Sequence, residues 1–305
     1  LTEKLPIETK KDFCITHFFN PVRYMRLLEI VEDCKFKNPK IEKLKIFCQE
    51  ILGKGIVNCK DTLGFIGNRV GVYSIQCAMY EAINKKIPIE KADAIFGRPL
   101  GIPKTGVFGL YDLIGIDLMK DVLKSFEKGL KKNDSFYEYV KLHDVAENLL
   151  KKGFKGNKTG CGFYKTNFSK IANPTKVLNY SKGIYYDYSK VDIKILTDAE
   201  KLGSKALLDD DSIYGEYAFK VFSKTILYCC EILNEISNNI VEIDNALKWG
   251  FNWYKGPFEM LHDYGVERFY QRCFDRNEKI PIYLEELKNK KISCYDNNTK
   301  SFINT

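Results

Sequence analysis

The chain has 305 residues, of which 45% are hydrophobic, and a formal net charge of +8 at pH 7. This length and apolar content predict a sizeable core divided between two or three compact units. No apolar run approaches the ~20 residues needed to span a bilayer, and the opening LTEKLPIETKKDF lacks the apolar segment of a signal peptide. We therefore expect neither a membrane span nor a signal peptide.

The positive charge indicates either a solvated, lysine-rich surface or a surface that attracts a polyanion such as a nucleotide. Nucleic acid fits less well, because the lysines are scattered and are not interleaved with aromatic residues in a known reader motif. The ten cysteines form no CxxC pair and no Cys/His group with zinc spacing. We therefore expect free thiols, no metal site and a location in the reducing cytoplasm.

The beginning of the chain follows an α/β pattern. Apolar runs at 13–19 and 27–31 predict strands joined by a turn at Asn20-Pro21, residues 40–52 predict a helix, and residues 55–60 predict a third strand. A nucleotide-binding α/β domain opens with a strand and a glycine-rich turn, and no GxGxxG occurs here. The pattern predicts the C-terminal remnant of such a domain.

From Asp61 onward the apolar positions follow a helical spacing. Residues 159–191 are expected to form a small hairpin excursion and linker, and the tail 292–302 an exposed, turn-rich segment. Helices are predicted near residues 65–83, 89–95, 108–126, 136–151, 198–207, 217–236, 241–248, 259–276 and 283–290.

Three sequence blocks occur twice, in the same order and with nearly the same gaps. The blocks EAIN at 81–84, IEKAD at 89–93 and GVFGLYDLIG at 106–115 are matched by EILN at 231–234, IVEID at 240–244 and GPFEMLHDYG at 256–265. A solenoid needs at least three copies, so the pattern predicts a duplicated helical domain.

The segment CITHFFNPVRYMRLLEIVE at 14–32 contains His17, one of three histidines, and Glu29, the lone carboxylate of the second apolar run. Two strands joined by a turn place an imidazole and a carboxylate side by side. A carboxylate bound to one ring nitrogen makes the other nitrogen a general base. The alternative is a structural histidine and a solvent-facing glutamate.

Four motifs have the order typical of one family. HFFNP at 17–21, with a glutamate twelve residues after the histidine, and DTLGFIGNR at 61–69 are the strongest. The 106–115 block, with Val107 in place of a proline, and TGCGFY at 159–164 complete the set. Together they resemble the L-3-hydroxyacyl-CoA dehydrogenase family. The family's glycine-rich loop and its Asn-Thr-Ser segment have no match in this chain.

The resemblance implies the reversible, NAD-dependent oxidation of an L-3-hydroxyacyl-CoA to the 3-ketoacyl-CoA in fatty-acid β-oxidation. By motif position, His17 is the catalytic base, Glu29 orients it, and Asn68 binds the reacting oxygen or the thioester carbonyl of the substrate. A helix-capping role is the alternative for Asn68. No cofactor-binding residue is implied within the chain, so we expect a fragment of a longer enzyme that does not bind NAD tightly.

The implied fold is mainly α. We expect a Rossmann-type remnant over residues 1–60 and two helical domains, similar to the C-terminal domain of 6-phosphogluconate dehydrogenase, over 61–165 and 198–305, with a hairpin and linker at 166–197. The two repeats are expected to pair about a pseudo-two-fold axis in a monomer. Family members with a duplicated domain are often fused to an enoyl-CoA hydratase, which these residues do not show.

Two alternative functions stay open at this point. One is a non-catalytic module for acyl-CoA binding or assembly, which has no need of His17, Glu29 and Asn68 together. The other is a related β-hydroxyacid dehydrogenase, whose lysine-based pattern the chain does not resemble. Neither Asp112 nor Asp263 is expected to be catalytic, because they are one position out of register between the repeats. The lysines of the 151–158 turn are either solvated or a site for coenzyme A phosphates.

Overall fold

The computed structural model describes residues 5–32, 38–166, 174–289, 292–296 and 301–304. Two compact units are present. The first combines Leu1–Val72 with Thr225–Thr305, and the second is Tyr73–Lys224. Their boundaries fall inside the two longest helices, which therefore contribute residues to both units.

The first unit opens with a short helix α1 (Ile7–Lys10) and a three-stranded sheet. Its strands β1 (Cys14–Phe18), β2 (Leu27–Glu32) and β3 (Gly55–Asn58) lie in that order. β1 is antiparallel to β2, β2 is parallel to β3, and helix α2 (Pro39–Glu50) forms the crossover between the parallel strands. The predicted strand-helix-strand pattern is therefore confirmed, with boundaries that differ by one or two residues.

Local sequence explains how α2 begins and how it packs. Asn38 caps the helix, because its side-chain oxygen accepts a hydrogen bond from the backbone N–H of Lys40 at 2.8 Å. Cys48 joins Leu28 and Ile30 of β2 in a buried cluster against the sheet. The apolar side chains of residues 40–52 are only partly buried, since Phe47 and Ile51 are exposed.

The rest of the first unit, as far as it is described, is mainly helical. It contains the beginning of α3 (Gly67–Asn84) and the end of α10 (Ile213–Ile236). They are followed by α11 (Ile240–Gly250), α12 (Pro257–Tyr264), α13 (Val266–Asp275) and α14 (Ile282–Asn289). An antiparallel pair, β7 (Ile292–Asp296) and β8 (Ser301–Asn304), ends the described part. The prediction of a turn-rich tail at 292–302 is contradicted at residues 292–296 and 301–302, which pair as strands, while residues 297–300 lie outside the described residues.

The second unit contains the end of α3, the beginning of α10 and a three-stranded antiparallel sheet between them. The sheet lies within the range predicted as a hairpin excursion, and it consists of β4 (Tyr164–Thr166), β5 (Pro174–Asn179) and β6 (Ile184–Asp187). The shorter helices of this unit are α4 (Ile89–Ile95), α5 (Phe108–Ile114), α6 (Ile116–Gly129), α7 (Asp144–Lys151), α8 (Lys194–Leu202) and α9 (Ser204–Leu208).

Three predicted helices are each divided in two by a glycine. Gly115 (φ 103°) separates α5 from α6, Gly203 (φ 87°) separates α8 from α9, and Gly265 (φ 102°) separates α12 from α13. A residue with positive φ cannot continue a right-handed helix, and glycine adopts it without a steric penalty. The predicted helix at 136–151 is also shorter, because His143 caps α7 by accepting a hydrogen bond from Val145 N–H at 3.2 Å.

One buried arrangement occurs once in each unit. Asp93 at the end of α4 accepts hydrogen bonds from the amides that open α5, including Phe108 N at 2.8 Å. Asp244 in α11 accepts from the amides that open α12, including Phe258 N, also at 2.8 Å. In both cases a buried carboxylate holds the beginning of the next helix.

Candidate active site

The β1–β2 hairpin places His17 directly opposite Glu29 in its antiparallel ladder. Directly paired residues on one face of such a ladder have side chains close enough to interact. The Nδ1 atom of His17 lies 2.7 Å from Oε2 of Glu29, a short hydrogen bond. The two side chains predicted to act together are therefore in contact.

The Glu29 side chain is fully buried, and its second oxygen is also bonded. Oε1 accepts hydrogen bonds from the backbone N–H groups of Ile66 at 3.0 Å and Gly67 at 2.7 Å, where α3 begins. Cys59 adds a weak S–H donor, with its Sγ atom 3.8 Å from the same oxygen. The exposed amides and the dipole at the helix N-terminus offset the cost of burying a carboxylate.

Two consecutive residues direct those amides toward Glu29. Gly64 has φ 79° and Phe65 has φ 47°, so the chain takes a left-handed turn immediately before α3. This conformation costs a residue with a side chain roughly 1–2 kcal/mol. The Phe65 ring lies 5.5 Å from the His17 ring, measured between centroids. The turn therefore supplies both amide donors for Glu29 and one wall for the imidazole.

The His17 ring is held on one side and accessible on the other. Phe19 packs edge-on against it at 5.3 Å, and the His17 side chain is 34% exposed. An ionised carboxylate has only acceptor sites, so Nδ1 carries the hydrogen in the bond to Glu29. The Nε2 atom then has a free lone pair and makes no hydrogen bond to the described residues. This is the arrangement that a general base needs.

Asn68 follows Gly67 in the first turn of α3 and is half-buried. Within the described part of the chain, its side-chain amide donates or accepts no hydrogen bond, and none joins it to His17 or Glu29. The helix-capping alternative therefore has no supporting contact. The position leaves the amide available to a ligand at the beginning of the helix.

Arg69 was not among the predicted site residues, although the motif that contains Asn68 ends with it. The Arg69 side chain is buried and donates to the Tyr228 hydroxyl at 2.6 Å and to Glu235 at 3.2 Å. Both partners are on α10, so Arg69 ties the beginning of α3 to the end of α10. A charged residue beside a site motif was the signal that could have identified it.

Other candidate groups make contacts within the second unit. Asp112 is buried and accepts from the amides of Phe163 and Tyr164 at 2.9 and 2.8 Å, which is a structural role. Lys155 and Lys158 both pair with Asp117, at 3.5 Å for Lys155. These two lysines of the 151–158 turn therefore already have a carboxylate neighbour.

No group of three or more metal-ligating side chains occurs among the described residues. Eight cysteines in those ranges are free thiols. No helix there is long and apolar enough to cross a membrane. The sequence of residues 1–62 contains no GxGxxG motif, the glycine-rich turn that approaches a dinucleotide pyrophosphate in this fold class.

Two family models match the chain in succession. One, described as "3-hydroxyacyl-CoA dehydrogenase, NAD binding domain", matches residues 3–62. The other, "3-hydroxyacyl-CoA dehydrogenase, C-terminal domain", matches residues 64–166. The chain belongs to the 3-hydroxyacyl-CoA dehydrogenase family. It has an NAD-binding-domain segment followed by a helical C-terminal domain.

Curated relatives support this assignment. A Rickettsia prowazekii protein named "Putative fatty acid oxidation complex trifunctional enzyme" is 36% identical over 98% of this chain. A Bacillus subtilis protein named "Probable 3-hydroxyacyl-CoA dehydrogenase" is 33% identical over 92% of it. The chain spans 41% and 36% of the lengths of these two relatives.

A solved structure shows a similar fold. The crystal structure of 3-hydroxybutyryl-CoA dehydrogenase from Escherichia coli K12 matches 93% of this chain and 71% of its own with a TM-score of 0.59. Sequence identity in that comparison is 19%. At this identity the likeness describes the fold and does not transfer a substrate.

Proposed function

We propose that this chain contributes the proton-transfer dyad and the substrate-side helices of an NAD-dependent L-3-hydroxyacyl-CoA dehydrogenase of fatty-acid β-oxidation. One observation carries the proposal. His17 and Glu29 form a hydrogen bond of 2.7 Å, and the other oxygen of Glu29 accepts hydrogen bonds from the backbone amides at the beginning of α3. A module for assembly alone has no use for a buried carboxylate bonded on both oxygens beside an accessible imidazole.

The reaction needs a base at the substrate hydroxyl. When the C3–H bond breaks and its electron pair leaves as hydride, the oxygen becomes a protonated carbonyl unless a base takes the hydroxyl proton. The lone pair of His17 Nε2 accepts that proton. Glu29 keeps its bond to Nδ1 and stabilises the positive charge that develops on the ring. NAD, when bound, supplies the hydride acceptor.

Asn68 is the proposed substrate ligand. Its amide has no hydrogen bond to the described residues and lies one residue beyond an amide that holds Glu29. Donation from this side chain to the reacting oxygen or to the thioester carbonyl would stabilise the charge that gathers there. The acyl-CoA substrate and a cytoplasmic location are parts of the same proposal.

The NAD-binding segment of this chain is proposed to be incomplete. The sheet formed by β1, β2 and β3 has no glycine-rich turn to approach a pyrophosphate. We therefore propose that tight NAD binding needs residues that the 305-residue chain does not contain. Fusion to an enoyl-CoA hydratase in the natural protein remains part of this proposal.

Duplication of the helical domain, with copies at 61–165 and 198–305, is also proposed. The buried Asp93 and Asp244 perform the same task in corresponding helices. Gly115 and Gly265 end corresponding helices with nearly the same dihedral angles, φ 103° and ψ 123° against φ 102° and ψ 117°. Equal backbone conformation at matched positions supports a common origin.

The experiment that tests the proposed function is a His17→Gln substitution in the natural protein that carries this chain. Reduction of a 3-ketoacyl-CoA by NADH is followed by absorbance. The account predicts a loss of turnover of about 10²–10⁴-fold. His143→Gln, which removes a histidine that caps α7, is the matched control and keeps most of the activity. Near-normal turnover in His17→Gln would rule out the mechanism.

A further inference from the structure

We propose that Trp249, Gly250 and Phe251, at the end of α11, are positioning residues for the His17–Glu29 dyad. This inference rests on the proposed function and gives the second helical repeat a task in catalysis. α11 packs against β2 and β3 within the first unit. Each of the three consecutive residues contacts side chains or strands that lie next to the dyad.

The first contact runs through Phe251 and Phe19. The Phe251 ring meets the Phe19 ring edge-on at 5.7 Å, and Phe19 meets the His17 ring edge-on at 5.3 Å. On its other side Phe251 lies against α3, so closely that a Cβ at Gly71 would be 2.2 Å from its ring. Phe251 therefore has no room to move away from Phe19.

The second contact is a close approach at Gly250. A Cβ there would lie 2.6 Å from Leu27 Cδ2 and 3.1 Å from Phe19 Cε1. Gly67 of α3 approaches the same two side chains, since a Cβ there would lie 2.6 Å from Phe19 Cζ and 3.2 Å from Leu27 Cδ2. Phe19 and Leu27 therefore fill the gap between the two glycines.

The positions of Phe19 and Leu27 connect this packing to the dyad. Phe19 is two residues after His17, and Leu27 is two residues before Glu29, so all four share one face of the hairpin. Phe19 N donates to Leu27 O at 3.4 Å and continues the ladder by one pair. A shift of this pair would shift the neighbouring His17–Glu29 pair as well.

The third contact is made by Trp249, at the beginnings of β2 and β3. The Trp249 ring covers Gly55, where a Cβ would lie 2.2 Å from the ring, and the Arg26 guanidinium lies 4.6 Å from the ring centroid. Gly55 N donates to Arg26 O at 2.8 Å, which joins the beginning of β3 to the residue before β2. Trp249 thus holds the register of the strand that carries Glu29.

The test measures the imidazole directly and does not require turnover. The chain has three histidines, so ¹⁵N-histidine labelling gives three ring spin systems, and the His17→Gln variant assigns one of them. In the unsubstituted 305-residue chain, neutral His17 should occupy the Nδ1–H tautomer with a slowly exchanging Nδ1 proton. In Phe251→Ala, the expected result is a mixture of both tautomers and loss of that proton signal by exchange.

Two variants provide the controls. Tyr254→Ala removes an exposed ring from the same loop and should leave the His17 signals unchanged. Phe251→Leu keeps apolar bulk and should restore the Nδ1–H tautomer. If Phe251→Ala does not fold, Trp249→Phe is measured with the same readout, and a shift of its His17 signals toward the tautomer mixture is expected.

The outcomes separate the inference from the proposed function. An unsubstituted chain without the Nδ1–H tautomer would contradict the dyad itself. A normal dyad that stays unchanged in Phe251→Ala, while only the denaturant midpoint falls, would overturn the positioning role. In the natural protein Phe251→Ala should lower kcat roughly 10–100-fold with little change in KM, as expected for a misplaced catalytic group.

Discussion

Glu29 accepts a hydrogen bond from His17 with one carboxylate oxygen and from the backbone amides of Ile66 and Gly67 with the other. The His17 imidazole is therefore fixed by two distant parts of the sequence, the β1–β2 hairpin and the beginning of α3. Because both oxygens are bonded, neither the carboxylate nor the imidazole can rotate without breaking a hydrogen bond. The proposed chemistry depends on this rigidity.

Gly67→Ala should destabilise the chain by about 1–3 kcal/mol, the usual cost of adding a methyl group to a filled core. The added Cβ would lie 2.6 Å from Phe19 Cζ, and Phe19 is already confined by Gly250. Gly109→Ala is the matched control, since its Cβ would meet nothing closer than 3.5 Å at the beginning of α5. Denaturant unfolding compares the two. Equal stability of both variants would mean that the packing around Phe19 is loose.

Stability should fall as pH rises from about 4 to 7. Burial raises the pKa of Asp93 and of Asp112 to about 7, against 3.8 for an ordinary aspartate. Within that window the folded chain keeps protons that the unfolded chain has lost, so raising the pH favours unfolding. Denaturant titrations at several pH values measure how steeply the free energy of unfolding falls with pH.

Asp93→Asn tests the origin of that slope. An amide cannot ionise, so the variant should show a weaker fall in the free energy of unfolding between the same pH values. The variant should also be less stable at low pH. Oδ2 of Asp93 accepts a hydrogen bond from Gly109 N–H, and an NH₂ group in its place is a donor that cannot accept this bond. Asp263→Asn, at an exposed carboxylate paired with Lys255, is the control. An unchanged slope in Asp93→Asn would assign the pH dependence to other groups.

Part of this structure was predictable from local sequence. The strands around His17 and Glu29 follow from apolar runs and the turn residues between them. The breaks at Gly115, Gly203 and Gly265 were missed, because apolar periodicity continues through them and only the backbone angle reveals the end of a helix. The pairing of residues 292–296 with 301–304 was missed for a related reason, since pairing between strands leaves little local signal.

The site was predictable in part as well. Motif resemblance identified His17, Glu29 and Asn68, and strand geometry explains the first pair. The bonds of Arg69 and the contacts that residues 249–251 make with the sheet and with α3 were not predicted. They join residues more than 150 positions apart in the sequence. Such contacts depend on tertiary packing, which neither periodicity nor a short motif encodes.

The 305-residue chain should show no tight NAD binding by calorimetry. Pyrophosphate binding in this fold class needs backbone approach at glycines and a helix N-terminus that faces the charge. Helix α2 begins at the Asn38 cap, and the sequence before it contains no GxGxxG. Tight binding of NAD by this chain would show that the cofactor site has been misplaced.

The chain should sediment as a monomer. A tandem copy of a self-pairing domain can satisfy within one chain the surface that would otherwise need a second subunit. The buried Arg69, with its bonds to Tyr228 and Glu235, already joins the first long helix of one proposed repeat to that of the other. Analytical ultracentrifugation decides the matter. A tight dimer would contradict the expectation.

The central claim is that His17 and Glu29 act as one unit, and a double-mutant cycle on kcat in the natural protein tests it most directly. His17→Ala and Glu29→Gln should each lower kcat by about 10²-fold or more. The double variant should be little worse than His17→Ala, because residues that act together lose their shared contribution only once. Multiplicative losses, or near-normal turnover in His17→Ala, would contradict the account.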